Sequence, residues 1–170
     1  MLHPKMSKQA VIFDLFGTLV DEMDSWLPNI RIAMTQRVLT PRPDAEDTLR
    51  RLRDSGFKIG LISDCTPEIP ALFWSTPLAP YIHSGVFSPI DGLTKPSPRI
   101  FKMACEALGV PPERCWYVGD GGSHELTGAK SFGMEAVLVA MRYVGDGGVF
   151  RAINWDGPRI ERLRQVLELV

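Results

Sequence analysis

Short apolar runs rich in β-branched and aromatic residues recur along the chain at residues 10–14, 58–63, 85–88, 115–118 and 135–140. Each has the length of a strand. Between them lie stretches with helical spacing at 44–55, where Leu49 and Leu52 share a face, and at 67–74, 98–108 and 123–132, with a last one at 158–169. Strands alternating with helices of this length predict right-handed βαβ units and a doubly wound α/β fold, in which a parallel five-stranded sheet is covered on both faces. Local chemistry marks several boundaries. Asp44 is placed to cap the helix that Gly56 ends, Ser97-Pro98 reads as an N-cap and first turn, and Gly109 closes the helix that follows. Residues 77–80 and 145–148 read as surface loops, and neither separates domains.

Composition narrows the function classes. A chain of 170 residues, 45% hydrophobic and 23% charged, buries one sizeable core, so residues 1–170 are expected to form a single domain. Nineteen basic against twenty acidic residues give a formal charge of −1, which provides no field for nucleic acid or an anionic membrane. The longest apolar runs fall far short of the roughly 20 residues of a membrane helix. Residues 1–9 contain Lys5 and Lys8 but no apolar stretch of secretory type behind them. Three cysteines, Cys65, Cys105 and Cys115, show no metal-ligand spacing, and their odd number fits the reducing cytoplasm.

In open α/β sheets ligands bind beyond the carboxyl ends of the strands. Here the first strand ends in Asp14 and the second in Ser63-Asp64; Lys95 opens Lys95-Pro96-Ser97-Pro98, and the fourth strand runs into Gly119-Asp120. A carboxylate, a hydroxyl, an ammonium and a second carboxylate on one rim meet the needs of phosphoryl transfer to an aspartate. The first attacks, the hydroxyl and lysine hold the transferring oxygens, and a cation shared by the carboxylates offsets the charge.

These segments resemble the four motifs of the haloacid dehalogenase-like (HAD) hydrolases. Val-Ile-Phe-Asp-Leu-Phe-Gly-Thr-Leu at 11–19 looks like motif I, Leu61-Ile62-Ser63-Asp64 like motif II, Lys95-Pro96 like motif III, and residues 118–125 like motif IV, where Glu125 follows Asp120 by five. The likeness implies a Rossmann-like core and a nucleophilic Asp14, with Ser63 and Lys95 as its catalytic partners and Gly17, Thr18 and Asp64 beside the phosphate. It also implies Mg²⁺ held by Asp14, the backbone carbonyl of Phe16, Asp120 and Glu125, and a small phosphate ester as substrate. Tyr-Val-Gly-Asp-Gly-Gly occurs again at 143–148, but there Arg151 stands five residues after Asp146. Asp120 is therefore the copy expected to matter, and the repetition is not structural.

The chain departs from the family's pattern in two places. Its phosphatases carry a second aspartate two residues after the nucleophile, as acid for the leaving group; here that residue is Phe16. A missing proton donor costs about 10²- to 10⁴-fold. Dehalogenases of the family carry an aromatic residue at that spot, though they need no metal. Only 48 residues separate Asp14 from Ser63, which leaves residues 21–40 for a remnant cap or flap, with Ile30, Ala33, Met34 and Arg37 at helical spacing. Three readings follow: a Mg²⁺-dependent phosphatase, a catalytically impaired scaffold that binds phosphate or a protein partner, and a dehalogenase-type hydrolase. A homodimer could cover the open site. Cys65 reads as a packed thiol, His124 as a solvent-facing residue at a helix start, Asp21, Glu22 and Asp24 as an acidic loop, and the four tryptophans as core or edge packing, with Trp26 in the cap remnant.

Overall fold

The protein is described here from a computed structural model that covers residues 7–20, 39–140 and 154–170. Most of the cap segment 21–40, including Trp26, and the second Tyr-Val-Gly-Asp copy lie outside the described residues.

The elements follow the predicted alternation: β1 (Ala10–Asp14), α1 (Ala45–Asp54), β2 (Lys58–Ser63), α2 (Ile69–Phe73), β3 (Ser84–Phe87), α3 (Ser88–Asp91), α4 (Pro98–Leu108), β4 (Cys115–Gly119), α5 (Glu125–Phe132), β5 (Glu135–Val139) and β6 (Arg159–Ile160). The sheet order is β3-β2-β1-β4-β5-β6, and every pairing is parallel. β1 sits at the centre, with Phe13 opposite Leu61 on one side and Val118 on the other. Helices cover both faces, so β1 is apolar at every position up to Asp14 instead of alternating. Val11 and Phe13 join Leu49 and Leu52 of α1 in one layer, while Ala10 and Ile12 join Ile100, Phe101 and Leu108 of α4 in the other.

The C-terminal segment differs from the expectation. Residues 158–169 form no α-helix: Arg159 and Ile160 add a sixth strand beside Leu138 and Val139, and Leu163–Glu168 is a 3₁₀ helix. The buried residues Ile160, Leu163 and Val166 recur every three positions, which is the period of a 3₁₀ turn and imitates helical spacing over so short a run. Asp44 does not cap its own helix either. Its carboxylate accepts the Arg164 N–H at 3.1 Å, tying the C-terminal segment to the start of α1. Ser97 makes no side-chain cap bond, and residues 77–80 are not an open loop, because Leu78 is buried at the start of a 3₁₀ turn. Helix 123–132 begins at Glu125, after a turn in which Ser123 and His124 both have φ of 53°.

Trp116 and Trp155 are buried, Trp74 is 47% exposed, and Cys105 and Cys115 pack as free thiols with sulfurs 3.9 Å apart. Among the described residues no helix is long and apolar enough to cross a membrane.

Since Leu163 is fully buried against this layer, Leu163→Ala is expected to lower unfolding stability by about 2–5 kcal/mol. Urea titration followed by circular dichroism measures it; a loss below 0.5 kcal/mol, the size of an ordinary surface substitution, would show that the segment is not part of the core.

Candidate active site

The polar groups gather where β1, β2 and β4 end. Asp14 closes β1, and the chain then turns back on itself: Leu19 and Val20 N–H both donate to the Leu15 carbonyl at 2.9 and 3.0 Å, and Gly17 N–H to Val20 at 3.0 Å. Gly17 has φ of +74°, and a Cβ there would stand 2.4 Å from Asp120 Oδ2. Only glycine lets the turn pass this close to the second carboxylate. Thr18 is buried, and its hydroxyl donates to Asp14 Oδ2 at 3.3 Å. Arg42 pins the same turn by donating to the Gly17 carbonyl at 3.0 Å.

Lys95 is the hub. Its ammonium lies 2.5 Å from Asp14 Oδ1 and 2.6 Å from Glu125 Oε2, with all three side chains at most 7% exposed. Its backbone N–H donates to both oxygens of Asp64, at 3.1 and 3.2 Å. Glu125 is held on every side: Tyr117 donates its hydroxyl to Oε2 at 2.8 Å, and Gly121 its N–H to Oε1 at 3.0 Å. A Cβ on Gly119 would come within 2.1 Å of Glu125 Oε1, so any side chain there would displace that carboxylate. Asp120 Oδ1 accepts the Gly122 N–H at 2.8 Å. One carboxylate oxygen from each of Asp14, Asp120 and Glu125 lies within 4.8 Å of the others, a grouping able to hold a metal ion.

Three carboxylates with one ammonium leave a formal charge of −2 in a largely buried space. Burial pushes the Asp14 carboxyl upward, Lys95 opposes this, and the Asp120 charge adds to it. Burial and the Asp14 charge push Glu125 up to about 8. Burial alone would lower Lys95, but Asp14 and Glu125 overcome it and hold the ammonium well above its usual range. Burial and the Glu125 charge raise Tyr117, which keeps its hydroxyl a donor.

Of the residues expected from sequence, Asp14, Gly17, Thr18, Lys95, Asp120 and Glu125 meet directly. Ser63 is fully buried on the same rim, and its hydroxyl has no hydrogen-bond partner among the described residues. Asp64, expected beside phosphate, instead spends its carboxylate on the Lys95 backbone. The Phe16 side chain packs half-buried against the core. His124 is exposed, as expected, and Cys65 is half-buried, its N–H donated to Ser88 Oγ at 3.0 Å. Two residues went unnoticed in sequence. Tyr117 left one signal, a hydroxyl inside an otherwise apolar strand, which must find a partner once buried. Arg42, between two prolines, left none.

A family model for haloacid dehalogenase-like hydrolases matches residues 26–133. The chain belongs to this family. The matched stretch carries the regions of motifs II to IV and begins beyond Asp14. Among curated proteins, this HAD-like hydrolase is 32% identical over 136 residues to a glyceraldehyde 3-phosphate phosphatase of Methanopyrus kandleri, covering 78% of this chain and 57% of that protein. It is 29% identical over 110 residues to (S)-2-haloacid dehalogenase 4A of Burkholderia cepacia, covering 64% and 47%. The chain thus spans about half the length of the curated relatives it matches. A solved HAD phosphatase from Thermococcus onnurineus superposes with a TM-score of 0.72 at 24% identity, over 95% of this chain and 97% of that one, a likeness of fold.

The raised carboxyls give a signed pH dependence. Glu125 moves from 4.5 in the open chain to about 8 in the fold, so between those values the native state binds a proton that the unfolded state releases. The Glu125 contribution to stability without metal is greatest below 4.5 and falls as pH rises toward 8, by at most about 1.4 kcal/mol per unit. Urea unfolding in chelator is expected to show a more stable protein at pH 5 than at pH 8, and Glu125→Gln should shrink the difference. An equal difference in the variant would assign the dependence to other groups.

Proposed function

We propose that this HAD-like hydrolase is a Mg²⁺-dependent phosphatase that transfers the phosphoryl group of a small phosphate ester to Asp14. The observation that carries the reading is the Asp14 carboxylate at a strand end, paired with a buried ammonium beside two further carboxylates. Asp14 attacks phosphorus, the bond to the leaving oxygen breaks, and water then hydrolyses the aspartyl phosphate. Thr18 orients the Asp14 carboxylate through Oδ2. The unpartnered Ser63 hydroxyl is free to donate to a phosphoryl oxygen, which would satisfy a buried group otherwise left without a bond. Lys95 offsets the negative charge of the intermediate. Asp64 acts on Lys95 and not on the phosphate, since its carboxylate would repel that anion.

The donor set fits Mg²⁺, a hard cation that takes oxygen ligands, and a divalent charge would cancel the formal −2. Asp14, Asp120 and the Phe16 carbonyl would hold it, with Glu125 in support. When bound, the ion stabilises negative charge on the transferring group. The names of the curated relatives support small phosphate esters as the substrate class, and the free cysteines support a cytoplasmic setting.

Phe16 keeps a second reading alive. With no acid at this position, leaving groups that depart without a proton are favoured, and a halide is one of them; the likeness to dehalogenase 4A points the same way. Against it, metal-free dehalogenation has no need for the carboxylate grouping.

With p-nitrophenyl phosphate and Mg²⁺, the wild type is expected to turn over and Asp14→Asn to fall to background. Phe16→Asp should raise turnover of an alkyl phosphate by about 10²-fold or more. Halide release from a 2-haloacid without metal would favour the second reading, and a silent wild type beside an active Phe16→Asp would mark a binding scaffold.

A further inference from the structure

Tyr117 is fully buried in β4, its ring edge-on to Phe101 with centroids 5.5 Å apart. Its hydroxyl could have met a backbone carbonyl, as buried tyrosines often do. Instead it reaches Glu125 Oε2 at 2.8 Å, the same oxygen that accepts Lys95 Nζ at 2.6 Å. With Gly121 N–H on Oε1 at 3.0 Å, Glu125 has three protein donors and no exposed surface. Lys95 divides its ammonium between Glu125 and Asp14. How strongly Glu125 draws on that ammonium sets how much of it remains for Asp14, and a second donor on Oε2 weakens the draw.

We propose that Tyr117 is a positioning residue: by holding and partly satisfying Glu125, its hydroxyl keeps the Lys95 ammonium against Asp14. The proposal rests on the reading of Asp14 and Lys95 as the reacting pair.

The test is a double-mutant cycle of Tyr117→Phe and Glu125→Gln on p-nitrophenyl phosphate turnover with Mg²⁺. It is joined to acetic anhydride labelling of the substrate-free protein, read by peptide mass spectrometry. Tyr117→Phe keeps the ring and its packing on Phe101. It is expected to lower kcat by roughly tenfold, the effect of one hydrogen bond to a charged group, with KM within about twofold. The double variant should be no slower than Glu125→Gln alone, because Tyr117 acts through that carboxylate. Lys95 should label several-fold faster in Glu125→Gln, which takes away one of its two counter-charges, and several-fold slower in Tyr117→Phe, where Glu125 holds the ammonium more tightly, while Lys58 and Lys130 keep their rates. Effects that multiply in the double variant, or unchanged Lys95 labelling in folded Tyr117→Phe, would overturn the proposal. Labelling needs no turnover. A wild type that hydrolyses nothing yet shows the Lys95 response would sink the phosphatase reading and leave the positioning role standing.

Discussion

The Lys95 ammonium, enclosed between Asp14 and Glu125, is the constraint from which the rest of the site follows. Taking ions out of water costs several kcal/mol each, and their mutual attraction repays this only when the remaining lone pairs and protons are also satisfied. Each neighbouring feature meets that demand. Thr18 serves the free oxygen of Asp14, Tyr117 and Gly121 serve Glu125, and Asp64 fixes the lysine through its backbone. Gly17 and Gly119 leave out the Cβ atoms that would collide with Asp120 and Glu125. Such a cluster adds little stability in itself, so the two apolar layers on either side of the sheet must hold the fold, and the cluster consumes part of what they supply.

Lys95 compensates only one of the three negative charges in the grouping of Asp14, Asp120 and Glu125. Burial, and with it the remaining −2, raises the carboxyls of Asp14 and Glu125, and that strain has a direction: it is relieved by protons or by a divalent cation. On the proposed reading stability and chemistry are linked, because the charge that weakens the site without metal is the charge that would draw the ion phosphoryl transfer requires. Ser63 adds a neutral counterpart. A fully buried hydroxyl without a bond is a small standing cost, removed when an acceptor such as a phosphoryl oxygen arrives.

The central sheet was legible because its signal is local. β1, β2 and β4 are apolar runs closed by a polar residue, and the rule that ligands sit at strand carboxyl ends turned those closures into a site. β6 was not legible: two residues carry no periodicity, and the three-residue spacing of Ile160, Leu163 and Val166 passed for a helix. Asp44 was read as a cap because it stands before a helix, whereas its partner, Arg164, lies 120 positions away. Tyr117 and Arg42 escaped for the same reason, since their importance resides in contacts with Glu125 and Gly17 that only the folded chain brings about. Asp64 was located correctly on the rim, but its neighbours in sequence did not reveal that its carboxylate faces a backbone amide.

Phe16 stands apart from this network, its side chain packed against the apolar layer while Asp14 and Thr18, two positions before and after it, belong to the charged one. Residues that hold Asp14, the proposed nucleophile, and residues that balance its charge are thus present together, and a donor for the departing group is the part this position does not provide. The division has a physical consequence for substrate choice. A site that lowers the barrier by electrostatics alone gains most when charge accumulates on the transferring group, and least when the leaving oxygen must be protonated to depart. Selection among substrates then falls on the acidity of the leaving group as much as on its shape.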